Sequence, residues 1–184
     1  MFIQTEATPN PATLKFIPGR VVLEGETRDY REAEGAHDSP LAEKLFQVPG
    51  VTGVYFGHDF ITVTKTDEDW QHLKPAVLGA IMEHFMSGQP VLRHDSEAEK
   101  SEEFFADGDS ATVETIKELL ETRVRPAVAQ DGGDITFRGF KDGIVYLSMR
   151  GACAGCPSST ATLRHGIQNL MRHFIPEVEE VRAV

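Results

Sequence analysis

Short runs of alternating apolar and polar residues occupy the first third of the chain, and longer runs at helical spacing follow them. "ATLKFI" (12–17) and "RVVLE" (20–24) are strand candidates. Ser39-Pro40 predicts a short helix over "PLAEKLFQ", with serine as N-cap and proline at the first helical position. "VTGVYF" (51–56) and "FITVTK" (60–65) flank Gly57-His58-Asp59, a hairpin signal. From Asp69, apolar residues recur at helical spacing: Trp70, Leu73, Val77, Ile81, then His84 or Phe85. Pro75 inside this run either kinks the helix or marks the start of its main body, and "SGQP" ends it.

A second pattern begins at Val113. Val113, Ile116, Leu120, Val124 and Ala127 or Val128 form one helical stripe, with Pro126 expected to bend or break its last turn. Gly132-Gly133 are expected to supply the positive φ values that end a helix and turn the chain into a strand. "DITFRGF" and "IVYLSMRG" read as strands joined by Lys141-Asp142-Gly143. Leu163, Ile167, Leu170 and Phe174 predict another helix, closed by Pro176, and "VEEVRAV" alternates like a last strand. This second region has the order α-β-β-α-β over about 70 residues, a size at which a single core is only marginally stable.

Charge divides the chain in the same place. Residues 1–92 carry 13 acids and 7 bases, residues 93–110 carry 7 and 2, and residues 111–184 carry 9 of each. The middle stretch, "RHDSEAEKSEEFFADGDS", lacks apolar periodicity and reads as a flexible linker. Within it, Phe104 and Phe105 either dock on a domain or lead into the next helix. The fold class is therefore α+β: two small mixed domains, 1–92 and 111–184, joined by an acidic linker at 93–110. The net charge of −11 makes nucleic acid and anionic membranes poor partners. No apolar run is long enough for a transmembrane helix. "MFIQTEATPNPATLKF" looks like neither a signal peptide nor an Arg-rich transit sequence, so a bacterial cytoplasmic protein is expected, or a processed mitochondrial matrix form.

Both cysteines, Cys153 and Cys156, lie in "GACAGCPSSTATL", at a step from strand to helix. Gly151 and Gly155 permit a tight turn, and Pro157 suits a first helical position. Both thiols then lie beside a helix amino end, whose partial positive charge favours thiolate. Ser158, Ser159 and Thr160 are placed to cap backbone amides or to hydrogen-bond sulfur. Three readings follow: two buried structural cysteines, a thiol–disulfide redox pair, or half of a metal site completed by another chain. A closed thiolate site needs four ligands, and two copies about a two-fold axis supply them. Four sulfurs suit zinc, a [4Fe–4S] or a [2Fe–2S] cluster, and spacing does not choose among them. Arg150 and Arg164 flank the motif and either offset an anionic cluster or are ordinary surface residues. Asp131 and Asp134 bracket the glycine pair, where turn chemistry is the plainer explanation than catalysis. The histidines are scattered and offer no metal spacing.

"RGACAGCPSSTATL", "AQDGGDI" and "TPNPATLKFIPG" together resemble the NifU-like, or Nfu-type, iron–sulfur cluster proteins. Residues 111–184 resemble the NifU C-terminal domain and residues 1–92 the Nfu N-terminal domain. The resemblance implies a scaffold or carrier, not an enzyme, that holds a labile [4Fe–4S] cluster between two protomers. Cys153 and Cys156 match the cluster ligands, and Gly151, Gly155 and Pro157 match the surrounding motif. The implied partners are apo iron–sulfur recipients, an upstream assembly scaffold and a second copy of the chain. The cluster-assembly and ferredoxin-like domains of NifU proper have no counterpart in this sequence.

Overall fold

A computed structural model describes residues 1–93, 103–154 and 157–184, and for 157–159 the backbone alone. The chain forms two compact units, Met1–Ala98 and Glu99–Val184, each mixed α and β with its own sheet. Half of the acidic stretch read as a linker, residues 94–102, falls outside the described residues. Its described end, 103–110, packs on the second unit.

The first unit is an antiparallel sheet of five strands: β1 (Gln4–Ala7), β2 (Thr13–Ile17), β3 (Arg28–Tyr30), β4 (Val51–Phe56) and β5 (Ile61–Lys65). Their order in the sheet is β1-β2-β5-β4-β3. Helices α1 (Pro40–Phe46) and α2 (Trp70–Ser87) bury their apolar stripes with it, through Leu41, Leu45, Leu73, Val77 and Ile81. The Ser39 hydroxyl caps α1 by accepting from the Ala42 N–H at 3.1 Å and donates to the Val91 carbonyl at 2.6 Å. One buried side chain thus ties α1 to the chain that leaves α2. Pro75 lies inside a continuous α2, which Asp69 caps and Gly88 closes in the left-handed conformation at φ 73°.

"TPNP" is a structural loop. The Asn10 side chain accepts from the Ala12 N–H at 3.0 Å, and Trp70 Nε1 donates to the Pro11 carbonyl at 3.2 Å, fastening the start of α2 to it. The strand expected at 20–24 is absent. Val22 and Leu23 are adjacent and both buried, which period-two alternation forbids on one sheet face. Their N–H groups instead both donate to the His58 carbonyl at the hairpin tip. Strands β1 and β3 were not predicted; β1 is an exposed edge with no apolar signal of its own.

The second unit begins with α3 (Ser110–Leu119), a single π turn (Leu120–Val124) and α4 (Arg125–Gln130). The apolar positions explain the π turn. Ile116, Leu120, Val124 and Val128 recur at steps of four, all buried, whereas an α-helix needs about 3.6. A wider turn absorbs the drift, and Pro126, which has no N–H to give, follows it. Strands β6 (Gly133–Lys141) and β7 (Ile144–Gly151) form a hairpin whose turn, Asp142 at φ 54° and Gly143 at φ 77°, has the positive φ pair of a type I′ connection. Helix α5 (Pro157–Phe174) then crosses over, so β8 (Glu180–Ala183) pairs with β7 in parallel. The sheet order is β6-β7-β8, and the sequence order is the expected α-β-β-α-β.

Two expectations about this core change. Phe174 is exposed beneath the Arg123 guanidinium, 5.1 Å from its ring centre, and Met171 takes the buried place. Phe104 and Phe105 dock on this unit. Phe104 donates to the Arg138 carbonyl and accepts from the Phe140 N–H, and its ring lies over Gly139, where any Cβ would overlap it.

His84 is buried in the first unit with Nε2 lacking a hydrogen-bond partner, and burial, helped by Lys44, holds its pKa below the usual histidine value. The unfolded chain therefore takes up this proton first as pH falls. The stabilisation is complete above about 6.5 and is lost as pH drops through that value toward the folded pKa. Denaturant titrations followed by Trp70 fluorescence are expected to show the first unit weakening as pH falls below about 6.5, with His84→Leu flattening that slope.

Candidate metal centre

The site is built where the start of β6 meets the end of β7. Gly133 pairs with Gly151 and Asp134 with Arg150 across the ladder. Gly132 at φ 79° and Gly151 at φ 64° turn the chain at the two rims. The Ala152 N–H donates to the Gly132 carbonyl at 3.1 Å, and the Ala154 N–H to the Gly151 carbonyl at 3.1 Å. "DGG" (131–133) and "GACA" (151–154) are thus one structural object, although 17 residues of hairpin separate them in sequence.

Gly133 has a different task from the one expected. Its φ is not positive; only Gly132 supplies that. A Cβ at 133 would stand 2.5 Å from the Cys153 sulfur and 3.0 Å from the Arg150 carbonyl oxygen. The sulfur rests on bare backbone. Cys153 is 8% exposed and belongs to the core of the second unit. Its carbonyl accepts from Thr160 Oγ1 at 3.0 Å, which closes the loop onto the first turn of α5. Thr160 therefore holds the loop through backbone. Pro157 is the first residue of α5, as read from the sequence.

Of the two predicted ligands, the structure places Cys153; Cys156 and Gly155 lie outside the described residues. The side chains of Ser158 and Ser159 lie outside them as well. Among the described residues no group of three or more His, Cys, Asp and Glu side chains has metal-binding geometry. A cysteine sulfur on a glycine-turned loop ahead of a helix is a soft donor, which suits thiophilic iron or zinc and not a hard cation such as calcium.

Around this loop lies an ion pair that sequence reasoning missed. Arg125, at the start of α4, grips Asp134 with two parallel bonds: Nε to Oδ1 at 2.9 Å and Nη2 to Oδ2 at 2.9 Å. Its Nη1 donates to Glu121 at 2.9 Å, and these bonds, Asp134 first, hold its pKa above the usual arginine value. The Asp134 side chain is 6% exposed, and Oδ1 also accepts from the Ile135 N–H at 2.8 Å. Asp131 ends α4 and is exposed, so the two acids do not form a carboxylate pair. Arg150 is buried in β7 and is no ordinary surface residue; Arg164 is half-buried on α5. The available sequence signal was Arg-Pro at a helix start, nine residues ahead of an Asp in a glycine turn.

A family model described as "Scaffold protein Nfu/NifU N terminal" matches residues 3–88, and one described as "NifU-like domain" matches residues 116–182. A human protein named "NFU1 iron-sulfur cluster scaffold homolog, mitochondrial" is 52% identical over 186 residues, covering 100% of this chain and 72% of that protein. A Drosophila erecta protein of the same name is 52% identical, with 65% of its length covered. An Arabidopsis thaliana protein named "NifU-like protein 4, mitochondrial" is 48% identical, also with 65% covered. The chain thus spans just under two thirds of these fly and plant relatives. A solution NMR structure of a NifU-like protein from Saccharomyces cerevisiae is similar at 25% identity and TM-score 0.47, covering 52% of this chain and 87% of that one.

The contact between Gly133 and Cys153 makes a sharp prediction. Gly133→Ala is expected to destabilise the second unit by about 1–3 kcal/mol, because neither the sulfur nor the Arg150 carbonyl can retreat freely. Gly166, on α5 with open space where its Cβ would go, is the control. Gly166→Ala is expected to stabilise by about 0.5–1 kcal/mol. Urea unfolding of the full chain followed by far-ultraviolet circular dichroism measures both.

Proposed function

Because this chain belongs to the Nfu/NifU scaffold family, we propose that it carries an iron–sulfur cluster, a labile [4Fe–4S] core, and hands it to apo-proteins. The observation that carries the reading is the donor set. One chain contributes two cysteines, and the described one sits on a glycine-turned loop at a helix amino end. Two copies supply the four thiolates that a cluster needs. The cluster is cargo here, and Cys153 and Cys156 are its ligands.

The protein's own residues explain why such a cargo is both held and released. A [4Fe–4S] core with four thiolates carries about two negative charges, which helix amino ends tolerate. The donors belong to two molecules, so separating the molecules opens the cage without unfolding either one. A recipient's cysteines then replace the donors one at a time. This is ligand exchange, in which no substrate bond is made or broken by a catalytic side chain, so the chain acts as a carrier and not as an enzyme. An upstream assembly scaffold supplies the cluster and apo iron–sulfur proteins receive it. The relatives' names support a mitochondrial setting over a bacterial cytoplasm. A [2Fe–2S] cargo, a zinc-bridged dimer and dithiol redox catalysis are the competing outcomes of one experiment.

Anaerobic reconstitution with iron and sulfide is expected to give a brown dimer with about four irons and four sulfides per pair. Cys153→Ser and Cys156→Ser should each leave the protein colourless. Zinc without sulfide in the isolated protein would replace the cluster reading with a structural metal. A monomer that reduces insulin disulfides without iron would replace it with redox catalysis.

A further inference from the structure

Arg125 and Asp134 are an expensive pair to keep. A carboxylate with a 6% exposed side chain loses most of its hydration. An apolar pair of similar volume is often no less stable, so a buried ion pair is better evidence of a defined geometry than of stability. The geometry here is one of fixed direction. Both oxygens of Asp134 are taken by the arginine fork, and Oδ1 is further fixed by the Ile135 N–H. That leaves the first residues of β6 no freedom to rotate.

The residue before Asp134 is Gly133, the wall on which the Cys153 sulfur rests. The residue before that, Gly132, holds the Ala152 N–H next to Cys153. On the other side, Arg125 is aimed by the π turn at Leu120–Val124, because the extra residue of that turn rotates everything after it by about 100° relative to an uninterrupted α-helix. The path from helix phase to cysteine thus runs through named contacts without a gap.

We infer that Arg125 is a positioning residue for the cluster cage: acting through Asp134, it fixes the Gly133 wall and so sets the direction from which the Cys153 thiolate meets an incoming cluster. The inference rests on the carriage reading, but half of its test does not. In the chain without cluster, the same wall shields the Cys153 sulfur, so loosening it exposes the thiol to alkylation.

The decisive variant is the double change Arg125→Met with Asp134→Leu, which removes the pair without stranding a buried charge. Glu121→Gln serves as control, since it leaves the fork on Asp134 intact. Iodoacetamide labelling of the full-length apo chain, resolved at Cys153 by tandem mass spectrometry, is expected to speed up about tenfold in the double variant, with loss of the reconstituted cluster to a chelator accelerating about 10–100-fold. Thermal melting should stay near the parent's and Glu121→Gln should leave both rates alone. If the double variant does not fold, Arg125→Lys keeps the charge and loses the fork, and the same two rates are expected to rise by smaller factors. A folded double variant, or a folded Arg125→Lys, with both rates within about twofold of the parent overturns the assignment. A parent chain that takes up no cluster overturns the carriage reading instead, and the labelling rates still decide the role of Arg125.

Discussion

A cysteine sulfur resting on the bare backbone of a glycine is the contact around which the second unit is arranged. Gly133 lies where a Cβ would collide with the Cys153 sulfur, and that closeness forces the start of β6 and the end of β7 into a narrow range of separations. Two more glycines, at 132 and 151, then let the chain turn sharply at both rims. The loop that bears the cysteines is therefore held from below by a strand, from the side by the Gly132 carbonyl, and from above by Thr160 of α5.

The surroundings add charge control and direction. Helix α5 offers its amino end, and the Arg125 fork on Asp134 pins the strand beneath the loop. Surface ion pairs contribute little to stability, whereas a buried pair with both oxygens engaged fixes geometry at a cost in hydration. A carrier needs that trade.

The first unit contributes a different physics. Its sheet, its two helices and the "TPNP" loop make a self-contained core, fastened by the buried side chains of Ser39 and Asn10 and by the half-buried Trp70. The net negative charge of residues 1–92 contrasts with the balance of acids and bases over residues 111–184.

Periodicity alone located the helices at 40, 70, 113 and 157, the two hairpins and the α-β-β-α-β order, because each depends on local rhythm and turn chemistry. Pro157 at the first position of α5 was legible for the same reason. Residues 20–24 were misread as a strand because two adjacent buried side chains satisfy a loop pinned to His58 as well as they satisfy hydropathy. Met171 displaced Phe174 from the core because the helix face that matters is chosen by the sheet it packs on. Gly133 was read as a turn glycine, although its role is to make room for an atom 20 positions away. The Arg125–Asp134 fork was invisible for a related reason: a π turn sets the arginine's phase, and its partner lies on another element. Sequence by itself determined the order of the elements and which of them flank Gly133 and Cys153. Only tertiary structure decided what holds those residues in place, because close approach and buried charge pairing are properties of distance in space, which local rhythm does not encode.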